Sequence, residues 1–317
     1  MKRTRLCDLL GIDYPIIQGG MNWIANAELA AAVSNAGALG IVSPTAGMRL
    51  EDDMEENLRS HIRKAKSLTD KPFAVNLPLQ TPDVDKLIDA TIEEGVKVVT
   101  TSAGNPALYT AYLKEAGVTV LHVVASVRHA HGAENRGVDA VIAEGYEAGG
   151  HNGFDELSTF VLVPQVVDAV SVPVVAAGGI ADARGLVAAL ALGAEGVQIG
   201  TRFVATHECI AHQNFKEEVV KAIDTGTVIT GRKLGPTRGL KNDFTAKMLE
   251  MESNGASPEE FLVFIGLGRS RSGELDGDVA NGELYCGAIA GMVNDIVGAG
   301  DVVRSIVEGY DSVVAAL

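Results

Sequence analysis

The sequence predicts a TIM (β/α)8 barrel with an additional C-terminal helical subdomain over the barrel mouth. Three observations support this prediction. A pattern of a helix followed by glycine and then by apolar residues recurs along the chain, eight apolar runs alternate with helical patterns, and the alternation ends near Thr206. The composition agrees, because 47% hydrophobic residues with 36 glycines and only 5% aromatics suit parallel strands joined by glycine turns. A doubly wound open sheet uses the same alternation and is the structural alternative.

The recurring pattern is a helical segment that ends at glycine and is followed at once by small or β-branched apolar residues. These glycines are Gly37, Gly95, Gly117, Gly137 and Gly193. Glycine is the preferred residue just past a helix C-terminus, so each of them marks the boundary between a helix and the next strand.

Eight strands are predicted from the apolar runs. They cover residues 14–18, 39–43, 72–77, 97–101, 119–123, 138–143, 172–177 and 196–200. Eight parallel strands with intervening helices close a sheet whose interior side chains can fill, which favours the barrel. Two helix starts are also legible, because Thr81 and Asn105 each precede a proline and then an apolar stripe, as an N-cap before an N1 proline does.

The predicted barrel domain covers residues 1–205, and residues 206–317 form the predicted helical subdomain. This second part reads as helices without strands, at 215–223, 243–252, 258–266 and 284–296. The polar segment 268–283 is expected to be a loop near the barrel top, serving as a lid or an interface. The final helix is expected to pack back on the barrel.

Charge and cysteine content exclude several classes of function. A formal net charge of -15 opposes binding to nucleic acid or anionic lipid. The cysteines at positions 7, 209 and 286 are far apart and show no paired spacing, so we expect no disulfide framework, no metal site and a reducing cytoplasmic location. Asp8 and Asp13 break the N-terminal apolar run, and no run reaches the length of about 18 residues needed to span a membrane.

The most informative stretch is 138–153, in which a buried strand pattern runs into a glycine-rich loop that carries His151. Gly149 and Gly150 remove side chains just before the imidazole, so backbone N–H groups can approach an anion or a ring. Barrel enzymes place their chemistry just past the strand ends. Taken alone, the motif favours a tight turn with a solvated histidine, and the rest of the chain reverses that preference.

The other strand ends look functional together. Small polar residues and glycines follow the first, third, seventh and eighth strands, including Gly20, Asn76, Gly178 and Thr201. The last two loops lie where such barrels bind phosphate, because glycine exposes backbone donors there. A phosphorylated cofactor is therefore expected, although each loop alone also has a structural explanation as a turn, a polar floor or a strand-end cap.

The ordered motifs QGGM, AEGYEAGGH, AAGGIAD and QIGTRF, with the VN at Asn76, resemble the nitronate monooxygenase (2-nitropropane dioxygenase) family over nearly the whole chain. That family includes type II enoyl-ACP reductases and NADH:quinone reductases. The resemblance implies an FMN-containing barrel with His151 as the catalytic residue. It implies FMN contacts from Gly20, Met21, Asn76, Glu144, Gly149, Gly150, Gly178, Gly179, Gln198, Ile199, Gly200 and Thr201.

The leading functional prediction is FMN-dependent oxidation of alkyl nitronates by oxygen. An imidazole that titrates near neutrality suits removal of an α-proton from a nitro compound, stabilisation of a nitronate, or protonation of a reduced enoyl product. The alternatives are therefore an NAD(P)H-dependent trans-2-enoyl-ACP reductase and an NADH:quinone reductase, with a non-catalytic flavin-binding protein as a remote one. The loop 43–47, SPTAG, departs from the richer Gly/Asn turn of the enoyl reductases.

The expected partners are a small-molecule substrate (a nitronate, an enoyl thioester or ACP, or a quinone) and, in the reductase alternatives, NAD(P)H. The resemblance also leaves room for a homodimer. His129 and His131 are two residues apart, a spacing that does not place them on one helix face, so a metal site there is not expected. Trp23 fits either the substrate pocket or core packing.

Overall fold

Eight parallel strands form the closed barrel that the sequence predicts. The computed structural model describes Met1 and residues 3–317. The described residues form eleven strands, of which all but β7, β10 and β11 belong to the barrel. They are β1 (Ile16–Gln18), β2 (Gly40–Val42), β3 (Phe73–Pro78), β4 (Val98–Ser102), β5 (Thr119–Val124), β6 (Ala140–Glu144), β7 (Gly150–His151), β8 (Val174–Ala177), β9 (Gly196–Ile199), β10 (Thr227–Thr230) and β11 (Thr237–Leu240).

The barrel strands follow the order β1-β9-β8-β6-β5-β4-β3-β2, and every pair in this series is parallel. A parallel bridge between Ile17 and Leu39 joins β1 to β2 and closes the ring. The open-sheet alternative is therefore wrong, and each of the eight predicted strands is confirmed with its ends shifted by one or two residues.

The helices are α1 (Arg5–Leu10), α2 (Ala27–Asn35), α3 (Met54–Leu68), α4 (Val84–Glu93), α5 (Thr110–Glu115), α6 (Val127–Glu134), α7 (Thr159–Ala169), α8 (Ala183–Ala191), α9 (Thr201–Val204), α10 (Gln213–Lys221), α11 (Asp243–Ser253), α12 (Pro258–Ile265), α13 (Arg269–Glu274) and α14 (Ala299–Ala315). Short 3-10 turns occupy Pro106–Leu108 and Ala288–Met292. Among the described residues, none of these helices is long and apolar enough to cross a bilayer.

Alternating side chains on each strand divide the core into two layers. In β6, Ala140 and Ile142 belong to the barrel interior, whereas Val141 and Ala143 pack in the layer between barrel and helices. Strands buried on both faces must be apolar throughout, which explains their continuous hydrophobic runs. Leu6 and Leu10 of α1 join the interior cluster and so cover one end of the barrel.

Gly40 in β2 shows how closely helix and sheet approach each other. A Cβ atom at this position would lie 1.9 Å from the carbonyl oxygen of Ala30 in α2. A backbone atom cannot yield that much space, so only glycine allows α2 to pack at this distance.

The prediction of helices without strands after Thr206 is wrong. Strands β10 and β11 form an antiparallel hairpin, and β11 continues the sheet onto β7, with Thr237 opposite His151. The guanidinium of Arg238 donates from Nε to the carbonyl of Tyr146 at 2.9 Å, which ties the hairpin to the loop after β6. Their sequences, TVIT and TRGL, lack the continuous apolar run that identifies the barrel strands.

Three local predictions also need correction. The helix predicted at 284–296 is only the 3-10 turn Ala288–Met292, because Gly287 and Ala288 donate their N–H groups to barrel loops instead of to a helix. The segment 268–283 is not wholly a loop, since it contains α13. The helix expected to start at Thr81 begins at Val84, whereas the predicted Asn105 cap is confirmed by its bond from the Ala107 N–H.

The last helix, α14, packs against α8 and α2 on the outside of the barrel. Val302, Val303 and Ile306 form its buried stripe. This contact returns the C-terminal part of the chain to the barrel wall.

Candidate active site

A cavity of about 1110 Å³ opens at the carboxyl ends of the barrel strands. Its walls come from the loops after the strands and from the C-terminal segment that carries Tyr285 and Gly287. All the residues for which the sequence predicts cofactor binding or catalysis line this one cavity: Gly20, Met21, Asn76, Glu144, Gly149, Gly150, His151, Gly178, Gly179, Gln198, Ile199, Gly200 and Thr201.

Polar side chains form the floor of the cavity at the top of the barrel interior. Strand alternation directs Asn76, Glu144 and Gln198 inward, because their neighbours Val75, Ala143 and Val197 pack in the outer layer. Thr100 Oγ1 donates to Asn76 Oδ1 at 3.0 Å. Burial raises the pKa of the Glu144 carboxyl to about 7. The floor therefore presents hydrogen-bonding groups to a flat ring placed above it.

The loop after β1 lies directly on this floor because Gly20 has no side chain. A Cβ atom at Gly20 would lie 2.5 Å from both Cβ and Cγ of Asn76. A larger residue would displace either the loop or the amide.

The loops after β8 and β9 have the features of a phosphate cradle. Gly178 and Gly179 adopt φ values of 88° and 74°, the left-handed region that favours glycine. The backbone N–H groups of Gly179, Gly200 and Thr201 donate no hydrogen bond to any described residue. Thr201 Oγ1 accepts from the Gly287 N–H at 2.8 Å, which leaves its own hydrogen free to donate. Unpartnered donors grouped in this way fit an anion.

His151 faces the cavity from the short strand β7. Pairing with β11 holds its backbone, and the Asn152 N–H donates to Pro236 O at 2.8 Å beside it. The Tyr285 ring lies edge-on to the imidazole with centroids 5.8 Å apart. The exposed side chain of His151 lines the cavity, and desolvation by the surrounding residues lowers the pKa of the imidazole below its usual value of 6.5. The ring is therefore neutral at pH 7 and able to accept a proton.

Two buried side-chain atoms of the described residues have no hydrogen-bond partner, Ser43 Oγ and Asn152 Oδ1. Both residues line the cavity. Buried polar groups are nearly always satisfied, so these two atoms are suited to contact a bound molecule. Sequence analysis missed both, although Ser43 begins the SPTAG loop that follows the second strand.

Tyr285 belongs to a buried polar wall that only the fold assembles. Its N–H donates to Glu274 Oε1 at 3.2 Å. Burial raises the pKa of Glu274 well above its ordinary value and that of Glu283 to about 7. Burial likewise raises the pKa of the Tyr285 phenol, so Glu274 and Tyr285 favour their protonated, uncharged forms. Trp23 is not among the cavity residues, and its Nε1 donates to Ser270 Oγ at 2.9 Å in the adjacent packing.

The barrel, the unpartnered N–H groups of its last two loops and the neutral imidazole define the site of a TIM-barrel oxidoreductase. The family model described as nitronate monooxygenase matches residues 3–309, and the chain belongs to that family. Its members are flavin-dependent oxidoreductases.

Relatives within this group carry several names. A "probable nitronate monooxygenase" of Staphylococcus saprophyticus is 38% identical over 78% of this chain and 81% of its own length. A Mycobacterium tuberculosis protein named as a 5-hydroxy-7a-methyl-1-oxo-octahydro-1H-indene-4-carboxyl-CoA dehydrogenase is 35% identical over 96% of this chain and 95% of its own. The solved structure of FabK from Thermotoga maritima is similar with a TM-score of 0.91 and 46% identity, covering 100% of this chain and 98% of the other.

Proposed function

We propose that the cavity binds FMN and that the chain oxidises alkyl nitronates with oxygen, with His151 handling the proton. The phosphate would be held by the N–H groups of Gly179, Gly200 and Thr201. The ring would lie over the polar floor of Asn76, Glu144 and Gln198. When bound, FMN supplies the electron transfer, so the protein needs only to bind and orient the substrate and to move a proton.

The unpartnered donors and glycine loops support the cofactor part of the proposal. Three free N–H groups beside a threonine hydroxyl match the several oxygens of a phosphate monoester. The cavity volume of about 1110 Å³ is above the range of about 300–1000 Å³ for single small-ligand sites, so it accommodates a flavin and a second molecule.

The position of the His151 imidazole in the cavity beside Tyr285 is the single observation that carries the reaction. A base near the substrate must be uncharged to accept a proton, and enclosure in the cavity keeps the pKa of His151 low enough for that. A nitroalkane loses its α-proton to such a base and becomes the anionic nitronate. A substrate that enters already as the nitronate needs no base, so the side chain then serves to orient it.

Chemistry at the α and β carbons of a thioester is the second candidate. The size of the cavity favours it, because a small nitronate leaves much of the space beside FMN unfilled. The similarity to the carboxyl-CoA dehydrogenase and to FabK fits this enoyl-reductase class. In that reaction His151 would exchange the proton at the α carbon.

A parallel assay of the purified yellow protein tests the proposal. Oxygen consumption with ethylnitronate in the absence of NAD(P)H is the expected result. Oxidation of NAD(P)H that depends on a crotonyl thioester would contradict nitronate oxidation as the main activity and favour the second candidate. Anaerobic NADH oxidation by a quinone would indicate a quinone reductase. A protein that neither retains nor rebinds FMN would overturn both candidates.

A further inference from the structure

Two arginines that line the cavity have no partner among the described residues. Arg128 and Arg136 are the only arginines in the described part of the chain whose guanidinium groups make no hydrogen bond or ion pair. Both are exposed, and both line the cavity. Carboxylates outnumber cations in this chain, with 41 against 26, so acidic partners are abundant and their absence here is informative.

Arg128 and Arg136 flank the two ends of α6. Arg128 lies in the first turn of the helix, and Arg136 lies two residues beyond its last residue, Glu134. Gly132 lies between them, and a Cβ atom there would meet no heavy atom within 4 Å outside its own helix backbone. All three residues line the cavity, so they border an open groove at its edge.

This groove is continuous with the site around His151. The segment before α6 touches the loop of that histidine, since a Cβ atom at Gly153 would lie 2.5 Å from Ala125 Cβ. His122 forms part of the groove floor, with its Nδ1 2.7 Å from Thr101 Oγ1. The cavity residues contributed by β5, α6 and the turns around them include no carboxylate.

We propose that Arg128 and Arg136 bind the phosphate groups of a nucleotide-bearing second ligand whose reactive end reaches His151. Guanidinium groups match phosphate oxygens with two parallel hydrogen bonds, and no internal ion pair has to be broken first. Two molecules share this chemistry, a coenzyme A thioester and a nicotinamide dinucleotide. The inference rests on the proposed oxidoreductase function for which end of this ligand, thioester or nicotinamide, reaches His151. The contacts of the two arginines with phosphate can be measured by binding alone, without an enzymatic assay.

Calorimetric titration of the FMN-loaded protein tests the proposal with four probes: coenzyme A, NADP+, NAD+ and pantetheine, which lacks phosphate. We expect coenzyme A or NADP+ to bind, with the dissociation constant raised about tenfold in Arg128→Ala and again in Arg136→Ala. Binding should also weaken as salt is added, whereas pantetheine should show neither effect. Arg304→Ala is the matched control, because this exposed arginine lies on α14 and pairs only with Asp301.

The probes separate the two sources of phosphate. Binding of coenzyme A without NADP+ assigns the groove to an acyl carrier, and the reverse pattern assigns it to the reductant. If neither nucleotide binds, or if the double variant binds them as the unaltered protein does, the inference is wrong. Nitronate oxidation measured on the same preparations keeps the proposed function separate, because it can persist when nucleotide binding is absent.

Discussion

His151→Ala is the most direct test of the proposed chemistry. The backbone of β7 pairs with β11 whatever the side chain at position 151, so we expect the variant to fold. The loops after β8 and β9 are unchanged in it, so we expect it to retain FMN. What it loses is the imidazole that faces the cavity beside Tyr285. Two substrates separate the possible consequences: nitroethane, which must lose a proton, and ethylnitronate, which has already lost it.

General-base catalysis contributes about 10²- to 10⁴-fold to such a step. At about 1.36 kcal/mol for each factor of ten, this is roughly 3–5 kcal/mol of the barrier. We therefore expect kcat/KM for nitroethane to fall by that factor and kcat/KM for ethylnitronate to fall much less. Steady-state oxygen consumption measures both, with flavin absorbance as the control for cofactor content. Equal losses on the two substrates, or unchanged rates with nitroethane, would refute the role of His151 as a base.

The pH dependence of the unaltered protein gives an independent measurement of the same group. The pKa of His151 is lowered below 6.5, so the imidazole is neutral and active above that pH. The rate with nitroethane should be constant from about pH 7 upward, as far as His151 determines it, and should fall as the pH decreases through the lowered pKa. A pH–rate profile with a midpoint above pH 6.5 that is absent in His151→Ala would contradict the lowered pKa of His151.

Four further variants test the packing and hydrogen-bonding arguments. Gly20→Ala should weaken FMN binding at least about tenfold, measured by fluorescence titration, because its Cβ would overlap Asn76; unchanged affinity would show that the loop adapts freely. Gly40→Ala should lower the free energy of unfolding by about 3 kcal/mol or more through its clash with Ala30, whereas Gly132→Ala in open helical space should raise it by about 0.5–1 kcal/mol; equal effects in urea denaturation would contradict the packing argument. Lys216→Met should cost about 2–4 kcal/mol in the same assay, because Nζ donates to the carbonyls of Thr206 and Cys209 at 2.7 and 2.6 Å, and a cost below about 0.5 kcal/mol would show that these carbonyls find other donors.

The barrel was predictable because its signals are local. Each strand is a continuous apolar run that follows a helix-ending glycine, and parallel strands buried on both faces require that pattern. The strand ends then had to meet at one rim, so Asn76, Glu144, His151, Gly179 and Thr201 could be assigned to one cavity before their positions were known.

The C-terminal part was predicted less well because its structure depends on distant partners. The hairpin strands TVIT and TRGL have no continuous apolar run, and the hairpin pairs with β7 from the loop after β6. The segment 284–296 has helical composition, yet its N–H groups bond to Glu147 and Thr201 in the barrel loops. Tertiary hydrogen bonds overrode local propensity there.

The sequence by itself determined the barrel, the rim that carries the chemistry and the family to which the chain belongs. Only the tertiary structure decided that His151 is held by a sheet beside Tyr285 in the cavity, and that Arg128 and Arg136 line the same cavity without a partner among the described residues. The physical reason is the distance along the chain over which the interactions act. Strand and turn preferences act over a few residues, whereas enclosure, pKa and the pairing of charges depend on residues that come together only when the chain folds.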